Sequence, residues 1–206
     1  MANLLNIGRG LVNHKFLPYD AEIEYLESTG TQWINTLVKP NNTYTFDCKV
    51  AVLQDNYNCV YWGCRNSGTY QSSNEQCYLN SNTTLATTYL RRIRLFTTYT
   101  DSLENWDSGI TPVVGVMYDL VNITVVSSLN ALNYPIILFG FNNIGSINSS
   151  AGMCRIGGWT AYSNGVKVAD FIPVVKDNVP CMYDKVSKQL FYNQGTGSFI
   201  AGPRIS

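Results

Sequence analysis

Charge is scarce in this chain: Asp, Glu, Lys and Arg make up 14% of its 206 residues and cancel to a net charge of zero, against about 25% in ordinary soluble domains. So weak a field cannot track phosphate or collect on an anionic bilayer surface, so neither nucleic acid nor membrane is expected as a partner. Histidine occurs once, as His14. A Ser-His-Asp triad would need that ring fixed by packing and a second hydrogen bond, yet it lies in an N-terminal segment. An exposed or interface histidine, able to make assembly mildly pH-sensitive, is the plainer reading. No run is long and apolar enough to span a bilayer. No Cys-x-x-Cys pair occurs, and one histidine cannot complete a Cys/His zinc set of ordinary spacing. A P-loop and a strand–Gly-x-Gly-x-x-Gly–helix unit are both missing, which removes nucleotide chemistry. Repeats, low-complexity tracts and heptads are also lacking. No cofactor or metal is expected.

What remains is rich in Asn, Thr, Ser and Tyr. Such a neutral surface costs little to desolvate, which suits packing against copies of itself or other shell proteins, or binding neutral sugars. The length suits one large β-domain with a substantial core. Cys48, Cys59, Cys64, Cys77, Cys154 and Cys181 lie mostly beside β-formers. Cysteine there acts as a small buried hydrophobe, and free thiols are favoured over disulfides given cytosolic synthesis. That expectation rests on the start of the chain, where Asn6, Gly8, Arg9 and Gly10 interrupt the apolar residues and the order of a signal peptide is not found. The Asn-x-Ser/Thr sequons at Asn41, Asn82, Asn122 and Asn148 then carry no weight.

Residues 1–20 read as an arm and 21–206 as a single domain. The arm carries Leu4, Leu5, Ile7, Leu11 and Val12, broken by Gly8 and Gly10 and ended by Pro18. These aliphatics need a surface, either on the same domain or on a neighbouring subunit. Beyond the arm, short β-rich runs alternate with turn signals. Expected strands cover 43–52, 59–64, 90–97, 113–118, 122–126 and 135–141. The clearest hairpin places Asn164-Gly165 between 159–163 and 166–169, where a two-residue type I′ turn needs positive φ at both central positions. In Asn193-Gln194-Gly195-Thr196-Gly197 the glycines point to a backbone path that a β-carbon would block.

Two blocks carry a family resemblance. The first is Glu24-Tyr25-Leu26-Glu27-Ser28-Thr29-Gly30-Thr31-Gln32-Trp33-Ile34-Asn35. The second runs through Asp170-Phe171-Ile172-Pro173, Met182-Tyr183-Asp184-Lys185-Val186 and Asn193 to Phe199, closing on Ala201-Gly202-Pro203. Together they resemble the opening and closing motifs of concanavalin A-like (laminin-G-like) modules, which recur in tailed bacteriophages and in surface proteins of gut bacteria. The resemblance implies an all-β fold: a two-sheet antiparallel jelly-roll β-sandwich in which the first and last strands lie side by side. The chain departs from the pattern at Asn35-Thr36-Leu37, where relatives continue Asp-Thr-Gly. Losing the glycine implies a different exit from the strand, and losing the carboxylate removes a possible cation ligand. The middle of the chain, where ligand specificity usually resides, matches more loosely.

Candidate chemistry is sparse. Glu22, Glu24 and Glu27 resemble the carboxylate trio of retaining β-glucanases, whose working pair stands about 5–5.5 Å apart. In those enzymes the trio occupies a central strand, whereas this one falls on the opening strand. An edge strand with solvent-facing Glu22 and Glu24 and inward Ile23 and Tyr25 is the competing reading. Asp101, Glu104 and Asp107 form the only local acidic cluster, but match no defined calcium loop. Trp106 beside them is the one weak candidate for ligand binding, an aromatic face able to stack on a sugar; alternatively it plugs its loop onto the domain. Arg91, Arg92 and Arg94 are too few for a phosphate-tracking surface. The expected function is a non-enzymatic structural protein of a tailed-phage virion: a head decoration, head fibre or tail surface component. It would be made in the host cytoplasm and partnered by itself, other virion proteins and host glycans. The alternative is a carbohydrate-binding adhesin or lectin-like module, with a β-glucanase a distant third.

Overall fold

The computed structural model describes residues 17–53, 59–66, 76–82, 92–96, 113–125, 130–148 and 153–205. Among the described residues there is no helix, and the strands form two sheets. The larger holds β1 (Ala21–Glu22), β2 (Leu26–Glu27), β4 (Tyr44–Val52), β8 (Tyr118–Thr124), β12 (Cys154–Ser163), β13 (Val166–Lys176), β14 (Val179–Asp184), β15 (Gln189–Phe191) and β16 (Ile200–Ala201). The smaller holds β3 (Ile34–Asn35), β5 (Cys59–Arg65), β6 (Gln76–Asn82), β7 (Arg92–Phe96), β9 (Ile137–Leu138), β10 (Phe141–Asn143) and β11 (Ser146–Asn148). Across the larger sheet the main order is β15-β14-β13-β12-β4-β8, antiparallel throughout.

Period-two alternation decides which face each residue takes. On β4, Phe46, Cys48 and Val50 are buried while Asp47 and Lys49 point the other way. On β12, Ile156, Trp159 and Ala161 turn inward. They meet Trp62, Cys64 and Leu79 of the smaller sheet in one shared core. Trp62 bridges the layers, its ring centroid 4.8 Å from Phe46 and 6.0 Å from Trp159. Aromatic pairs at such separations contribute about 0.5–1.5 kcal/mol each beyond their buried area.

Two hairpins close the β12–β13–β14 meander. Asn164 and Gly165 take φ of 50° and 76° between Ser163 and Val166, as the type I′ reading requires. Asp177 and Asn178, at φ of 50° and 61°, make the same kind of turn between Lys176 and Val179.

Several expectations are corrected. Residues 113–117 form no strand: Gly115 at φ 78° and a Val116-to-Val113 backbone bond turn the chain there, and one strand runs from Tyr118 to Thr124. The run 135–141 is broken by Phe139 at φ 60°, which divides β9 from β10. That reversal also ends the purely antiparallel expectation. β9 lies antiparallel on β5, the chain turns back, and β10 then runs parallel to β5, with Asn142 opposite Cys64. Leu37 takes a left-handed backbone, φ 63°, and Asn35 Oδ1 accepts from its amide at 2.9 Å.

The opening segment is not a continuous edge strand. β1 is antiparallel to β13 and β2 is antiparallel to β12, while β12 and β13 are antiparallel to each other. The chain therefore reverses between them, at Glu24 and Tyr25. Gly157 makes room for this bend: a β-carbon there would lie 2.8 Å from the Glu24 carbonyl. The closing residues follow the same U-shaped path. β16 pairs with β2, Gly202 N donates to Tyr25 O, Glu24 N donates to Pro203 O, and Ile205 N donates to Glu22 O. First and last segments are thus neighbours along their length.

Of residues 1–20, the described part is Leu17–Asp20. Tyr19 is buried on the outer face of the larger sheet against Val174 and Cys181, its ring 5.1 Å from Tyr183. Five cysteines, Cys48, Cys64, Cys77, Cys154 and Cys181, are buried thiols. Burial pushes the Cys181 thiol up to about 11 and raises Cys48 and Cys77 further.

Candidate functional site

The three opening carboxylates have different surroundings. Glu22, on β1, accepts the Tyr19 hydroxyl. Glu27, on β2, accepts from Arg155 Nε at 2.7 Å. Glu24 sits exposed at the bend between them. The bend at Glu24 lies between Glu22 and Glu27, which alternation would in any case place on opposite faces of a straight strand. Tyr25, expected inward, is half-buried under the Arg155 guanidinium, 4.4 Å from its ring centroid.

The resemblance motifs are taken up by architecture. Gln32, buried, accepts through Oε1 from Ser28 Oγ, Thr29 N and Thr29 Oγ1, and so ties its own loop. Asn193 Oδ1 accepts from Trp33 N at 3.1 Å and Gly195 N at 2.8 Å, and its Nδ2 donates to Gly197 O. Gly195 presses so close to the opening block that a β-carbon would stand 1.9 Å from the Thr31 carbonyl. Asp184 is buried and accepts three backbone amides, from Asp170, Val186 and Ser187.

The place where polar side chains gather around a depression is the outer face of the larger sheet. A shallow groove of about 170 Å³ runs over β4, β8, β12 and β13. Cross-strand register builds two rows along it. One is Asp170–Thr160–Asp47 and the next is Gly158–Lys49–Asp119. Gly158 follows a register shift in β12 and contributes no side chain, which leaves the floor low. Asp47 accepts the Tyr162 hydroxyl at 3.1 Å and the Asn122 amide at 2.8 Å. Asp170 accepts from Lys167 Nζ at 2.8 Å and Thr160 Oγ1 at 3.3 Å. The hydrogen bond to Asp170 holds the Lys167 ammonium above its usual range. Desolvation, then the bond to Asp47, does the same to the Tyr162 phenol. The groove carries oriented donors and acceptors on Asp47, Thr160, Tyr162, Lys167 and Asp170, while most of its exposed lining is apolar.

No family model, curated protein or solved structure matches this chain.

Trp106, Asp101, Glu104, Asp107, His14 and Arg91 all lie outside the described residues. Arg92 and Arg94 fall on β7. Among the described residues no three His, Cys, Asp or Glu side chains gather as metal ligands would. The groove residues went unnoticed in the sequence because each is an ordinary polar position on its own strand. Only the alternation of Thr45, Asp47 and Lys49 on β4 hinted at a polar face.

Proposed function

We propose that the chain is a concanavalin A-like jelly-roll module serving, without catalysis, as a structural surface component of a tailed-phage virion. It would act as a head decoration, head fibre or tail surface protein. The observation that carries this reading is the fate of the two resemblance blocks. Their polar residues hold the opening and closing segments together, and the glutamates that resemble a glucanase site are separated by the bend at Glu24. A module so organised offers its surface as its product. The partners are then copies of itself and other virion proteins, and the location is the particle.

Mass spectrometry of purified virions tests the proposal, and absence of the protein from particles ends it. Light scattering after size exclusion, comparing the full chain with one starting at Asp20, asks whether residues 1–19 join subunits. Polysaccharide turnover abolished by Glu22→Gln or Glu27→Gln would restore the glucanase reading in its place.

The outer groove favours a second role that can coexist with the first, contact with a host glycan as in a lectin-like module. Thr160, Asp170, Lys49 and Asp119 supply hydroxyl-binding groups on a floor lowered by Gly158. Binding on a glycan array that is lost in Asp170→Ala supports this role. Loss only in Trp106→Ala moves it to the segment around residue 106, and a blank array removes it.

A further inference from the structure

Five of the six cysteines are described as buried thiols, and two of them face each other. Cys64 on β5 and Cys77 on β6 are direct cross-strand partners in an antiparallel pair, with Arg65 opposite Gln76 and Gly63 opposite Tyr78 on either side. Both side chains turn to the same inner face, Cys64 with 0% and Cys77 with 2% of its surface exposed. Directly opposed residues in an antiparallel pair hold their β-carbons about 4.5–5.5 Å apart. A disulfide spans about 3.5–4.5 Å between β-carbons, so an ångström or less of strand closure separates two thiols from one bond. The other described thiols oppose different partners: Cys48 lies across from Trp159, Cys154 from Val52 and Cys181 from Val174.

We infer that Cys64 and Cys77 are a built oxidation site, which closes into a cross-strand disulfide when the protein meets a low-molecular-weight disulfide such as oxidised glutathione. The step balances. One cysteine thiolate attacks a glutathione sulfur, forming a mixed disulfide and expelling glutathione thiolate. The facing thiolate then attacks the cysteine sulfur of that mixed disulfide and expels the second glutathione. Two cysteine thiols are oxidised, one glutathione disulfide is reduced to two thiols, and the two cysteine protons pass to the leaving thiolates. Burial is the gate. Desolvation raises both thiols above their ordinary range, so exchange waits for β5 and β6 to open and is slow in the closed sheet. The bond would clamp β5 to β6, leaving the reduced state for synthesis and the oxidised state for an oxidising exterior.

The test uses the full chain, incubated with oxidised glutathione in mild, sub-denaturing urea. Remaining thiols are then alkylated under denaturing conditions and the digest is read by mass spectrometry. The expected result is one crosslinked peptide pair containing Cys64 and Cys77, with the other four cysteines alkylated. Closing a loop of roughly fifteen residues should also raise Tm by about 5–10 °C. In Cys64→Ala or Cys77→Ala the remaining partner should stop at the glutathione mixed disulfide and Tm should not rise. Six alkylated cysteines, a stable mixed disulfide on either residue in the unsubstituted chain, or a crosslink to a different cysteine overturns the inference.

Discussion

Replacing Gly195 by Ala tests the contact between the opening and closing blocks more sharply than any other single change. The added β-carbon would sit 1.9 Å from the Thr31 carbonyl oxygen and 2.9 Å from the Trp33 ring. Carbon and oxygen settle at about 3.3–3.6 Å, so the two backbones must part by more than about 1 Å. Four hydrogen bonds span the gap: Gln194 N to Trp33 O at 2.9 Å, Thr196 N to Thr31 O at 3.1 Å, Trp33 N to Asn193 Oδ1 at 3.1 Å and Thr31 Oγ1 to Thr196 O at 2.9 Å. Each contributes about 0.5–1.5 kcal/mol, and overpacking of this kind costs about 1–3 kcal/mol. The sum is about 3–9 kcal/mol, a large share of the ~5–15 kcal/mol that holds a domain folded. At roughly 2–4 °C per kcal/mol for a chain of this size, Tm falls by at least about 6 °C and by up to about 36 °C. Urea unfolding followed by tryptophan fluorescence reads the same loss, with Trp33 reporting from the contact itself. Gly165→Ala is the control, since a β-carbon there meets nothing and only the φ of 76° opposes it, at about 1–2 kcal/mol. A Gly195→Ala loss no greater than that of the control would refute the proposed backbone contact.

Asp184→Ala should destabilise by on the order of 3 kcal/mol, because three backbone amides lose one buried acceptor together; a urea midpoint unchanged from the parent would contradict this. Glu27→Gln should cost less than about 1 kcal/mol, since its partner Arg155 is partly solvated; a larger loss in the same titration would mean that the pair anchors the bend at Glu24. Asp20 is held below the usual carboxylate range, first by the Asp177 amide and then by Lys176. A depressed folded value means its stabilisation is present above the unfolded value of about 3.9 and is lost as pH falls through the folded one. Thermal melts of the parent and Asp20→Asn should therefore differ at pH 6 and converge in strong acid; a gap that persists there would assign the effect to something other than ionisation.

The strands that were legible in the sequence are those whose alternation is local. Residues 44–52 turn Phe46, Cys48 and Val50 to one face regardless of the rest of the chain, and Asn164-Gly165 makes its turn from its own backbone preferences. The bend at Glu24 was only faintly legible: Leu26 breaks the period-two alternation that Ile23 and Tyr25 begin, but nothing local says where the chain turns. What permits the bend is the space at Gly157, and a β-carbon on Gly202 would stand 3.0 Å from Tyr25; both glycines are remote in sequence. The parallel placement of β10 depends likewise on a reversal at Phe139, a residue with no preference for left-handed backbone. The groove rows were hidden for a related reason. Thr160 meets Asp170 across the local Asn164-Gly165 hairpin, but Asp47 meets Thr160 only through a register set between segments more than a hundred residues apart.

Pairing of β16 with β2 joins Ile200 to Glu27, and this distance along the chain has a consequence during synthesis. A ribosome adding about 5–20 residues per second leaves the free side of β2 without its mate for on the order of ten seconds or more. Over that interval the nascent polypeptide exposes a backbone edge able to capture the wrong strand, from itself or from a neighbouring copy. Yield of the native protein should therefore depend on translation speed and on chaperones that shield the growing chain.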